Sequence, residues 1–109
     1  MATAYKVLGQ SEPAATTATT LYTVPASTST IVSTISICNR AASAATFRIS
    51  VRPAGAAQAD QHYIAFDAAI AAKDTLFLTV GLTLATTDVI TVYSSNADTA
   101  FNAYGSELT

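Results

Sequence analysis

Thr46-Phe47-Arg48-Ile49-Ser50-Val51 is the stretch on which the fold turns. Phe47, Ile49 and Val51 fall on one side of an extended chain and Thr46, Arg48 and Ser50 on the other. That is the period-two alternation of a strand with one buried face. Pro53 and Gly55 close it. Upstream, Ile31 to Cys38 is the longest β-branched run, with Ile35 and Ile37 on one face and Ser36 and Cys38 on the other. Similar runs extend in both directions. Tyr5 to Leu8 ends at Gly9, and Thr20 to Val24 ends at Pro25, which cannot donate to a sheet ladder. His62 to Phe66 places Ile64 and Phe66 inward, and Thr75 to Val80 groups Leu76, Leu78 and Val80 ahead of Gly81. Asp88 to Tyr93 and Thr99 to Tyr104 complete the set, the last followed by Gly105. About eight short strands, with turn signals roughly every 8–14 residues, predict an all-β protein, an antiparallel β-sandwich. Its expected core is Leu21, Val24, Ile35, Ile37, Phe47, Ile49, Val51, Ile64, Phe66, Leu76, Leu78, Val80, Val92 and Phe101. Ala68 to Ala72 is too short for a stable helix and reads as a compact loop.

With 109 residues there is room for one domain and one core. Residues 20–109 form the expected sandwich, and residues 1–19 an N-terminal strand with a possible role as a contact arm lying on a neighbour. Charged residues make up 11% and hydrophobic residues 50%. The usual charged share is about 25%, so groups that ordinarily solvate a surface are scarce here. Such a surface tends to self-associate or to be covered by another protein, and a homo-oligomer is expected. The net charge of −2, without a basic block, argues against nucleic-acid binding. No apolar run reaches the ~18 residues of a membrane helix, and Met1 to Gln10 does not read as a secretory signal.

Chemistry-bearing patterns are sparse. His62 is the single histidine, Cys38 the single cysteine, and no Gly-x-Ser-x-Gly elbow occurs. Asp60, Asp67, Asp74, Asp88 and Asp98 lie near expected turns, without the alternating ligand spacing of a calcium loop. The residues therefore point to no catalytic, cofactor or metal site, and Cys38 reads as a small buried hydrophobe. Contact residues are more apparent. Arg40, Arg48 and Arg52 lie on or beside two consecutive strands and would share a face if those strands are close. Tyr5, Tyr22, Tyr63 and Tyr104 are candidate exposed aromatics. Arginine and tyrosine are enriched at protein interfaces. Aromatics on a flat sheet also stack on sugars, which keeps a glycan-binding module open as an alternative.

Several segments carry a family resemblance: Leu21 to Ala26, Ile31 to Asn39, Ala45-Thr-Phe-Arg-Ile-Ser-Val-Arg-Pro-Ala-Gly55, His62-Tyr-Ile64, Asp88 to Tyr93 and Phe101 to Thr109. Together they resemble small structural proteins of tailed bacteriophages, including phages of cyanobacteria and other marine bacteria. The resemblance implies an immunoglobulin-like or jelly-roll sandwich and a non-enzymatic virion part assembled in the host cytoplasm. It implies a capsid decoration or cement protein partnered by the major capsid protein, or a neck, tail or baseplate accessory. No catalytic residue is carried over.

Overall fold

The computed structural model describes residues 2–109; Met1, where the expected N-terminal segment begins, lies outside them. Among the described residues there are eight strands: β1 (Thr3–Ser11), β2 (Thr19–Thr23), β3 (Ser29–Asn39), β4 (Ala45–Arg52), β5 (Tyr63–Ile70), β6 (Thr75–Leu84), β7 (Val89–Ser94) and β8 (Thr99–Leu108). Two single 3₁₀ turns, Pro53–Gly55 and Asp60–His62, lie between β4 and β5. The strands form two four-stranded antiparallel sheets, a front sheet in the order β1-β8-β3-β6 and a back sheet in the order β2-β7-β4-β5.

The pairing is nested. β1 pairs with β8, β2 with β7, β3 with β6 and β4 with β5, so the chain is one long hairpin rolled into a sandwich. That arrangement is the jelly roll, which decides between the two sandwich types implied by the resemblance. β1 is thus the outer strand of the front sheet, laddered to β8 from Thr3 to Ser11.

The core fills the space between the sheets. Ile35, Ile37 and Phe101 from the front sheet meet Phe47, Ile49, Ile90 and Val92 from the back sheet. Phe47 and Phe101 touch edge to face across the gap, with ring centroids 6.3 Å apart at 68°. Leu76, Leu78, Val80 and Val51 pack against this core but are only partly buried.

Three expectations are corrected. Ile64 and Phe66 do not enter the core; both are exposed. The β4–β5 register shifts twice, between Phe47 and Ile49 and between Ile49 and Ser50, and Asp67 has φ of 50°. These irregularities change the phase of β5, so Ala65 and Ala68 face the core instead. Ala68 to Ile70 accordingly belongs to β5, not to a loop. Three of the four glycines expected to end strands, Gly9, Gly81 and Gly105, lie inside them, while Gly55 follows β4 as expected. A Cβ on Gly9 would sit 2.1 Å from the carbonyl oxygen of Leu21, so glycine lets β1 lie against β2 and close one side of the sandwich. Gly81, at φ +60°, forms a bulge that carries β6 on to Leu84, and Gly105 is within β8.

The loops at one end are tied by side chains. Asn39 is fully buried and donates through Nδ2 to the carbonyls of Ser43 (2.9 Å) and Ala71 (3.1 Å). Its Oδ1 accepts from the Ala41 N–H (3.0 Å) and from Asn96 Nδ2 (3.2 Å). Three loops are held by this one amide, which uses all its hydrogen-bonding capacity.

Candidate functional site

The outer face of the front sheet is built by the register of four strands. Tyr5, Ser106, Ile31 and Thr83 form one cross-strand row; Val7, Tyr104, Thr34 and Thr79 form the next. Gln10, Asn102, Ser36 and Phe77 follow, then Ala100, Cys38 and Thr75, and Thr3, Leu108 and Ser29 make the row at the opposite end. Among the described residues, none of these outward side chains is charged. The two charged residues of this sheet point the other way: Glu107 is buried against Tyr22, and Lys6 reaches it at 2.5 Å. Tyr5 is 86% exposed and Phe77 68%, and Val7 and Ile31 are also exposed. Cys38, expected to be buried, lies half-buried on this face.

The outer face of the back sheet is different in kind. The Arg48 guanidinium lies over the Phe66 ring (4.2 Å to the centroid) and over the Tyr93 ring (4.4 Å). It also grips Asp67 with both ends of its fork, Nε to Oδ1 at 2.7 Å and Nη2 to Oδ2 at 3.3 Å. The hydrogen bond with Arg48 holds the Asp67 carboxyl below its ordinary range and raises Arg48 in turn. Tyr63 packs edge-on to Phe66 at 4.8 Å. Arg52 is engaged by Thr91 Oγ1 (3.1 Å) and the Ala56 carbonyl (2.8 Å). Beside this cluster lies a hollow of about 220 Å³, lined by Thr16, Ala18, Ser50, Gln58 and Thr91 together with Arg48 and the tyrosines. Small-molecule pockets usually exceed ~300 Å³, so the hollow is too small for an ordinary substrate.

The candidate residues thus separate. Arg48, Arg52 and Tyr63 share the back face; Tyr5 and Tyr104 share the front face. Arg40 joins neither, and pairs with Glu12 (Nε to Oε2, 3.0 Å) and Asp98 (3.5 Å) among the loops after β3. Tyr22 is not a surface residue. It is 7% exposed, and a register shift between Thr20 and Tyr22 turns it inward. Its hydroxyl donates to Glu107 (2.5 Å) and accepts from Thr30 (2.8 Å), since the carboxylate can only accept. His62 Nδ1 accepts the Ala59 N–H at 3.1 Å, a local turn contact. Among the described residues no group of three or more His, Cys, Asp or Glu side chains is placed to hold a metal ion. The exposed Phe66 and Phe77 were missed as surface groups; Phe77 was legible, since it alternates with Leu76 and Leu78 in β6.

No protein-family profile, curated protein or solved structure matches this chain.

Proposed function

We propose that the chain is a non-enzymatic structural protein of a bacteriophage virion, a capsid decoration or cement protein that seats the outer face of its front sheet on the shell. The observation that carries this is the face itself, four strands wide, uncharged, with Tyr5, Val7, Ile31 and Phe77 in solvent. Large apolar side chains exposed together on one face are candidates for burial against a partner. An uncharged face can be covered without stripping an ion of its hydration, provided its hydroxyls and amides find partners. The jelly roll agrees with this function, being used by viral capsid domains, although lectins and cupins use it too. The major capsid protein is the partner, and the segments quoted above that resemble small virion proteins supply the biological setting.

Gold-labelled serum raised against the chain tests this on purified virions of the phage that encodes it. Label spread over the head supports a decoration role, and label restricted to the neck or tail moves the protein to the accessory class. Unlabelled particles overturn the virion assignment.

A further inference from the structure

A four-stranded sheet leaves two edges, so the sandwich has four, and three carry features that discourage pairing with another chain. β1 has Lys6 and a register shift between Val7 and Gly9. β2 is five residues long, with a shift of its own. β5 carries Asp67 at positive φ and two shifts against β4. Charges, bulges and shortness are the usual protections of an exposed edge. β6 lacks them over Thr75-Leu-Phe-Leu-Thr-Val80, six residues without charge, glycine or proline that precede the bulge at Gly81. A bare segment of that composition is an aggregation hazard.

The flank beside β6 is also under-filled. β1 and β2 close one side of the sandwich at Gly9 and Leu21, which leaves β5 and β6 on the other. There β5 offers the small Ala65 and Ala68 to the interior, with Ile70 buried only at its far end, and the inward row Leu76, Leu78 and Val80 stays partly exposed. Ile64 and Phe66 stand in solvent on the same flank.

We infer that β6 pairs antiparallel with β6 of a second copy of this chain, about a two-fold axis at Leu78, to form one continuous eight-stranded front sheet. The occupant follows from matching. A partner strand must be uncharged and must keep its apolar side chains on the inner face. β2 is uncharged too, with Leu21 and Tyr22 turned inward, but it is five residues long and broken by a shift; β6 alone meets both conditions over an unbroken run. With the axis at Leu78, Leu76 faces Val80 of the second copy and Phe77 faces Thr79, so inward residues meet inward and outward meet outward. Asp74 remains outside the ladder. The operation is a closed two-fold, the commonest symmetry of homo-oligomers, so pairing stops at two chains. Both outer faces then point the same way and merge into a single uncharged surface. Such a pair forms in solution whether or not the chain belongs to a virion, so its failure and that of the virion assignment are told apart.

Sedimentation velocity of the full chain tests the pair, which is expected at twice the chain mass of 11.2 kDa. Thr79→Lys puts an ammonium group on each side of the axis and is expected to shift the protein to monomer with its β-sheet circular dichroism unchanged. Thr23→Lys, on the guarded β2 edge, leaves the pair intact. Hydrogen exchange on the unmodified chain gives a second measurement that needs no variant. Slow exchange of all the Thr75 to Val80 amides supports the pair, and fast exchange at alternate positions, as on a free edge, overturns it. A monomeric unmodified chain, or a pair that survives Thr79→Lys, overturns it as well.

Discussion

On the back sheet the outward charges are matched inside the chain: Arg48 by Asp67 and two aromatic rings, Arg52 by a threonine hydroxyl and backbone carbonyls. The front sheet has no outward charge to match, and leaves Tyr5 and Phe77 largely in water. Both faces belong to four-stranded sheets that cover the same core. The contrast teaches that exposed aromatics alone do not mark an interface. Phe66 is 56% exposed, yet the Arg48 guanidinium lies against its ring. Tyr5 and Phe77 have no such internal partner among the aromatic and cation–π contacts of the described residues. A self-satisfied face contributes to stability, and an unsatisfied one is available for binding.

The largest effect comes from breaking the frame that carries both faces. Asn39→Ala removes a buried amide and leaves the carbonyls of Ser43 and Ala71, the Ala41 N–H and Asn96 Nδ2 short of a partner. The expected loss is about 3 kcal/mol, since each buried polar group left unpaired costs about 1–3 kcal/mol and loop relaxation readmits water to some. Urea unfolding checks this through a lower midpoint at an unchanged slope. A loss within about 0.5 kcal/mol of zero would mean that the three loops do not depend on this amide.

The comparison itself is sharpened by exchanging what the faces are asked to do. Tyr5→Ser combined with Phe77→Ser on the front face is expected to leave the melting temperature nearly unchanged and to weaken capture by purified capsid shells at least about tenfold, as loss of interface aromatics does. Arg48→Ala on the back face has the opposite signature. It strands Asp67 and uncovers two rings, so the melting temperature falls by several degrees while shell capture is retained. Arg48→Lys restores the charge but not the planar fork or the stacking, and only part of the lost stability. If both variants lose capture, or both lose stability, the two faces are not functionally distinct.

Much of this contrast was legible in the sequence, though not all. Thr46 to Val51 alternates without interruption, and β4 places Phe47 and Ile49 in the core and Arg48 on the surface as its period requires. Difficulty began wherever a register slipped. Ile64 and Phe66 have the composition of a buried strand, but bulges give their inward places to Ala65 and Ala68. Gly9 and Gly81 resemble strand ends because glycine often marks turns; here one allows a close backbone approach and the other a bulge. Those roles depend on contacts from distant parts of the chain, such as Leu21 against Gly9, which a local pattern does not contain. The separation of Arg40 from Arg48 and Arg52 has the same origin. β3 and β4 are consecutive but lie in opposite sheets, so neighbours in sequence end on different surfaces.

The smallest effect is a pH response, and it tests whether the faces are independent of the interior beneath them. Lys6 first, and then the Tyr22 hydrogen bond, hold the Glu107 carboxyl below its ordinary range. A lowered folded pKa stabilises above the unfolded value, and that contribution is lost as the pH falls through the folded one. Tyr22 is pushed up to about 12, first by burial and then by its hydrogen bond to Glu107. Here the sign reverses. Between the ordinary value of 10.0 and about 12 the unfolded chain releases a proton that the folded chain keeps, so stability falls as the pH rises. Unfolding midpoints should therefore decline at both ends of the pH range. Glu107→Gln is expected to remove its part of the acid decline, and Tyr22→Phe its part of the alkaline one, each after its own loss at neutral pH. Because the front face has no titrating carboxylate or amine, shell capture by folded protein should stay level while stability declines at the acid end. Capture that fell together with stability, in protein still folded by circular dichroism, would show that the Lys6–Glu107–Tyr22 chain sets the shape of the face above it.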